Sequence, residues 1–142
     1  MSHSNENATC EKCEEIMARY PGLDPDLAQW FRNLRGTHLD CHTSCAGRGS
    51  VDQESCFTAG TSEAHWTQSA HNWNQALDLF KLDENGKAQW PPMWYNDFLR
   101  NDPAIGDWLT WGATWTTFKE YPHVQCSDWK DKAKSGMAVL VE

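Results

Sequence analysis

The segment Ala76–Leu82, with the turn behind it, constrains this chain more than any other feature. Ala76, Asp78, Phe80 and Leu82 fall on one side of an extended backbone and Leu77, Leu79 and Lys81 on the other, which is the period of a half-buried strand. Asn85-Gly86 then supplies the residues of a tight hairpin turn, so Lys87–Trp90 is expected to return beside the strand. Asp83, Asn85 and Gly86 also look like a fragment of a calcium loop, but the other ligands of such a loop are missing and the turn is the better reading. Apart from Asp78, the strand reads as ordinary half-buried structure.

Other local signals divide the rest of the chain. Residues 1–15 form a polar arm, with a helical start at Glu11–Met17. Asp24 is a good N-cap and Pro25 a good first helical residue; Leu27, Trp30, Phe31 and Leu34 follow helical spacing up to Gly36 and make a core face. Thr37–Ser44 is expected to be extended, Val51–Phe57 a short helix and Thr58–Ser69 a polar loop. Pro91-Pro92 should start a helix through Leu99, and Asp102-Pro103 another ending near Gly112. Thr114–Phe118 has β character, and Pro122 favours an extended Glu120–Gln125. The tail, Ser127–Glu142, ends in an apolar, strand-like run. At 142 residues, all of this amounts to one domain with room for a core.

Composition excludes some partners. A formal charge of −8 argues against nucleic acid and anionic membrane surfaces and is compatible with a small neutral or mixed-charge substrate. Nine Trp, five Phe and three Tyr make a heavy aromatic load; many of these rings must be core, and a surplus often lines a binding groove. The first residues, MSHSNENATC, lack the pattern of a secretory signal, and the longest apolar run, Met137–Val141, is too short to span a bilayer, so the expectation is a protein made in the cytosol. The six cysteines (10, 13, 41, 45, 56 and 126) admit three readings: reduced buried thiols, disulfides formed after release, or a four-Cys zinc site built from Cys10-x2-Cys13 and Cys41-x3-Cys45.

His71, Asp78 and His123 can supply three ligands to a zinc ion, leaving the fourth position to water, with Glu120 near enough to take a proton. That set suits hydrolysis of a peptide or amide. His71 and Asp78 would face opposite ways in an unbroken strand, so His71 is expected on a loop that bends at Asn72-Trp73-Asn74 into the strand carrying Asp78. Pairing 76–82 with 120–125 would bring in His123, and a turn or bulge at Tyr121-Pro122 would aim Glu120 the same way. His3, His38, His42 and His65 read as surface or satisfied core residues, His65 being the best rival ligand. Arg48 can bind a substrate carboxylate or be a loop cation; Ser69 can bind substrate or cap a turn. Trp108, Trp111 and Trp115 read as packing.

Three blocks carry a resemblance to a known family. SAHNWNQALDLF (69–80) resembles the Ser-x-His-(six residues)-Asp signature of the M15 zinc peptidases, which comprise D-alanyl-D-alanine peptidases and L-alanyl-D-glutamate endopeptidases, including phage endolysins. LTWGATWTTFKEYPHVQ (109–125) resembles the second block, Trp-Gly-x-x-Trp followed by an acidic residue, two residues and His. Thr43-Ser44, Arg48 and Gln53 resemble the upstream block, with a Cys45-Ala46-Gly47 loop one residue longer than usual; Asn74 stands where the family often has Gly, and Thr114 where an acidic residue is common. The resemblance covers roughly residues 25–126. It implies a small single α+β domain with an antiparallel β-sheet flanked by helices, of the Hedgehog/DD-peptidase type. It implies zinc on His71, Asp78 and His123, Glu120 as general base, Arg48 as a transition-state or substrate contact and Ser69 as a substrate contact. The implied partner is the stem peptide of bacterial peptidoglycan, cut by a phage endolysin, expected as a monomer, that waits in the host cytoplasm until lysis. A cell-wall carboxypeptidase and a non-catalytic zinc-binding module of the same fold are the alternatives.

Overall fold

A computed structural model describes residues 9–142; of the polar arm, residues 1–8, with His3, lie outside the described residues. The elements run α1 Glu11–Ala18, α2 Pro25–Arg35, β1 Cys41–Cys45, α3 Ser50–Thr58, β2 Ala76–Leu82, β3 Ala88–Gln89, α4 Pro92–Leu99, β4 Leu109–Trp111, β5 His123–Cys126 and α5 Trp129–Ser135. Single 3-10 turns occupy Ala70–Trp73 and Gly112–Thr114. The strands form one antiparallel sheet in the order β1-β2-β5-β4, with β3 pairing the far end of β2.

The sheet buries one apolar layer against helices. Leu77, Leu79, Val124 and Leu109 meet Leu27 and Phe31 of α2 and Tyr95 and Leu99 of α4, all of them fully buried. Each such side chain contributes about 1.5–3 kcal/mol. The Tyr95 hydroxyl donates to the Leu79 carbonyl at 2.6 Å, so its one polar atom is satisfied inside the core. Asp24 caps α2 by accepting from the backbone N–H groups of Asp26 and Leu27, and its other oxygen accepts from Lys132 and Gln75. The Asp24 N–H donates to the Asn74 carbonyl, which ties the start of α2 to the bend after the 70–73 turn.

The Ala76–Leu82 strand, its hairpin and the helices at Pro25 and Pro92 stand where their local signals place them. Gly86 takes φ +78, and Asp83 accepts from the N–H groups of Asn85 and Lys87, so its carboxylate builds the turn. The expected helix from Asp102-Pro103 to Gly112 does not form. The Asp102 side chain accepts from the Ala104 N–H, Gly106 turns at φ +88, and Leu109–Trp111 is drawn out as the edge strand beside β5. Nor is Thr114–Phe118 a strand: Thr114 ends the second 3-10 turn, and the chain then bends through residues 116–118 to Phe118, φ 46. The apolar tail run pairs with no strand. It crosses the 70–74 segment, with Val141 N–H donating to Asn72 O and the Asn74 amide to Val139 O. Among the described residues no helix is long and apolar enough to cross a membrane.

Candidate active site

Asp78 lies at the centre of the sheet, opposite Cys45 on β1 and opposite His123 on β5. Directly paired residues of antiparallel strands project to the same face, so register alone sets His123 beside Asp78. His71 arrives from the 3-10 turn before β2. Asn74 closes that turn in the left-handed conformation, φ 59, which Asn tolerates better than most residues. The Ser69 side chain accepts from the His71 N–H at 3.2 Å and the Asn72 side chain accepts from the Ser69 N–H at 3.1 Å, a reciprocal cap that holds the turn. Ser69 is therefore a cap, and it also lines the cavity described below.

Both imidazoles converge on one carboxylate oxygen. His71 Nε2 is 3.1 Å and His123 Nδ1 3.4 Å from Asp78 Oδ1. In a tetrahedral zinc site with ligands at about 2.0–2.2 Å, neighbouring donor atoms are roughly 3.3–3.5 Å apart, so both spacings are close to what a shared cation requires. The opposite edge of each ring is occupied. His71 Nδ1 lies 3.2 Å from the Ala46 carbonyl and His123 Nε2 lies 2.7 Å from Gln125 Oε1, so those nitrogens donate and the inner ones are left to bind a metal. Arg48 Nη2 lies 3.5 Å from the second oxygen, Oδ2, and Arg48 Nη1 donates to the buried Gln53 side chain. The donor set fits a zinc ion.

A cavity of about 490 Å³ opens on this cluster. Arg48, Ser69, His71, Glu120 and His123 line it, together with residues 62–64 and 115–118. Glu120 reaches it because the chain turns at Tyr121-Pro122, where His123 N–H donates to the Glu120 carbonyl. Gly112 makes that approach possible: its carbonyl accepts from the Glu120 N–H, and a Cβ in its place would collide with the Glu120 carbonyl. Burial pushes the Glu120 carboxyl above the ordinary carboxylate range, while His123, His71 and Arg48 pull partly the other way.

Other sequence candidates fall elsewhere. His65 is on the surface, paired with Glu54 at 2.9 Å and stacked on Phe57, far from a ligand's role. The four-Cys site is not assembled, because Cys41 is fully buried on the core side of β1 while Cys10 and Cys13 form a disulfide beside His42. Trp111 is buried and donates to the Tyr121 carbonyl, whereas Trp115 lies 5.2 Å from the His123 ring and lines the cavity. The places of two residues at this site escaped the sequence reading. Gln125, two places after His123 on the same strand face, was legible from the period of two. Cys45 was not: its Sγ is 3.9 Å from His71 Nδ1, and Cys45, His71 and Asp78 form an alternative ligand group. It approaches the edge of His71 that Ala46 occupies, opposite the edge facing Asp78, so a cation shared by His71 Nε2, Asp78 and His123 leaves it out.

Two outcomes follow directly. Gln125→Leu removes the acceptor that orients His123 and should weaken zinc binding roughly 10–100-fold, measured by competition with a chromogenic chelator, while Gln125→Glu should retain most of it. The second concerns pH. Burial alone would lower the His71 pKa, but Asp78 and Cys45 outweigh it and push it up from 6.5 to about 10, while His71 and His123 hold Asp78 well below its ordinary range. A raised folded-state pKa stabilises below the unfolded value and is lost as pH climbs through the folded one. Chelator-treated protein should therefore lose thermal stability between about pH 6.5 and about 10, and zinc should flatten that dependence in calorimetry.

No protein-family model matches this sequence, and no curated protein matches it. Among solved structures, the crystal structure of Serratia marcescens L-Ala D-Glu endopeptidase ChiX superposes with a TM-score of 0.69 at 24% identity, covering 87% of this chain and 92% of that one. This chain has that protein's fold; among the described residues it consists of a small antiparallel sheet with five α-helices.

Proposed function

We propose that this chain is a zinc peptidase that hydrolyses the stem peptide of bacterial peptidoglycan, of the L-alanyl-D-glutamate endopeptidase kind found in phage endolysins. The observation that carries the reading is the convergence of two oriented imidazoles on Asp78 Oδ1, beside a cavity that also receives Glu120. The fold shared with an L-Ala D-Glu endopeptidase and the three sequence blocks support the same substrate class. The endolysin assignment, with action at the wall after waiting in the host cytoplasm and as a monomer, rests on the sequence resemblance.

His71, Asp78 and His123 would hold the zinc, which when bound polarises a scissile carbonyl and acidifies water. Glu120, its basicity raised by burial, accepts the proton of the attacking water and returns it to the leaving amine. Arg48, held by Gln53 and facing the cavity, offers a guanidinium to a carboxylate or developing oxyanion of the substrate. The Ser69 hydroxyl accepts from His71 N–H and keeps its own proton free for the substrate.

Mass spectrometry of defined muropeptides incubated with zinc-loaded protein tests the proposal. Cleavage should leave new amino termini on D-glutamate. Release of terminal D-alanine alone would make the protein a carboxypeptidase, and intact muropeptides with zinc bound would make it a binding module.

A further inference from the structure

A second cluster of metal-binding side chains stands at the start of α1, outside the cavity. The Cys10 side chain caps that helix, its Sγ accepting from the Cys13 N–H at 3.1 Å, and the two cysteines are joined as a disulfide. His42, on β1, brings Nδ1 within 3.2 Å of Cys10 Sγ and 3.7 Å of Cys13 Sγ. The three side chains offer ligand atoms that all lie within 4.8 Å of one another. Around tetrahedral zinc, with Zn–S near 2.3 Å and Zn–N near 2.0–2.1 Å, sulfur and nitrogen are about 3.5 Å apart. His42 already stands at that distance from both sulfurs, and Cys-x2-Cys is the spacing with which one helix start presents two thiolates to zinc.

The surroundings favour thiolates. The helix N-terminus directs the Cys13 N–H at Cys10 Sγ. A cavity of about 320 Å³, lined by Cys10, Glu14, Arg32 and Arg35 among others, reaches the Cys10 edge of the cluster and sets two guanidiniums near it, Arg32 forked to Glu14 and Arg35 donating to the Leu39 and Cys41 carbonyls. The sulfurs come from α1 and the nitrogen from the sheet, so an ion held there would tie the first helix to β1.

We infer that Cys10, Cys13 and His42 form a redox-gated zinc site, closed while the cysteines are joined and able to hold one zinc ion through two thiolates and one imidazole once they are reduced, with water from the cavity as fourth ligand. The step balances with a small-molecule thiol as reductant. Two such thiols give up two electrons and two protons, the Cys10–Cys13 bond breaks to two protein thiols, and one small-molecule disulfide leaves. Zinc then displaces the two thiol protons to solvent. In the reverse direction a small-molecule disulfide expels the ion. The site is separate from the proposed catalytic zinc, since it shares no ligand with His71, Asp78 or His123.

The test is metal stoichiometry of the whole chain in two redox states, with zinc and with cobalt(II) as probes. Thiol-reduced, desalted wild type should bind two zinc ions, disulfide-oxidised wild type one, and the Cys10→Ser, Cys13→Ser double variant one in either state. Reduced protein should show thiolate-to-cobalt charge-transfer absorption that survives Cys45→Ser and His71→Ala and is lost in the double variant. His42→Ala should weaken the second site by roughly tenfold or more. Reduced wild type that binds a single zinc, removed by His71→Ala, would overturn the inference, as would charge-transfer absorption that disappears only in Cys45→Ser. Failure of the catalytic-site reading looks different: oxidised protein would then bind no zinc and reduced protein one.

Discussion

Replacing Glu120 by glutamine is expected to lower kcat on muropeptides by roughly 10²–10⁴, the usual contribution of a positioned general base, while zinc affinity stays within a few-fold of wild type. Glutamine keeps the size of the side chain and its fit beside Gly112, but it cannot accept a proton. Glu120 lines the cavity with His71 and His123 without lying among the atoms that converge on Asp78, so the metal site should survive the change. Glu120→Ala should lose as much activity. Full turbidity loss of purified cell walls by either variant would refute the base assignment. Loss of zinc together with activity would mean that Glu120 belongs to the ligand set.

The second large effect is expected for His71→Ala. Apparent zinc binding free energies in protein sites run to about 10–16 kcal/mol, so removing one of three ligands should cost roughly 3–5 kcal/mol, or about 10²–10⁴ in affinity. Hydrolysis at limiting zinc should fall with it. His123→Ala should do the same, because its Nδ1 faces the same carboxylate oxygen. Cys45→Ser is the informative contrast. If the ion sat among Cys45, His71 and Asp78, the serine variant would lose zinc and His123→Ala would keep it; the ring orientations imposed by Ala46 and Gln125 lead to the opposite expectation.

Much of this arrangement is legible in the sequence because its signals are local. The period of two across Ala76–Leu82, the Asn85-Gly86 turn and the Asp24-Pro25 helix start act over a few residues, and each element forms where they place it. The antiparallel pairing of 76–82 with 120–125 follows from asking how His123 could reach Asp78, and the register sets the two opposite each other. The same local reasoning fails at Asp102-Pro103. A good helix start there is overridden because Leu109–Trp111 gains backbone hydrogen bonds beside β5. Within Thr114–Phe118, where β-favouring residues predict a strand, Thr114 ends a 3-10 turn and residues 115–118 line the cavity.

The strand and hairpin that hold Asp78 were determined by the sequence alone, and the sequence also nominated His71, Asp78, His123 and Glu120 as the candidate ligands and base, because residue type and short-range spacing are sufficient for both steps. Which ring nitrogen is free to bind, which face Cys45 approaches, and the union of Cys10 and Cys13 with His42 were decided only by the tertiary structure. Those are matters of direction at the scale of a hydrogen bond, between residues on different elements, and no spacing along a chain encodes them.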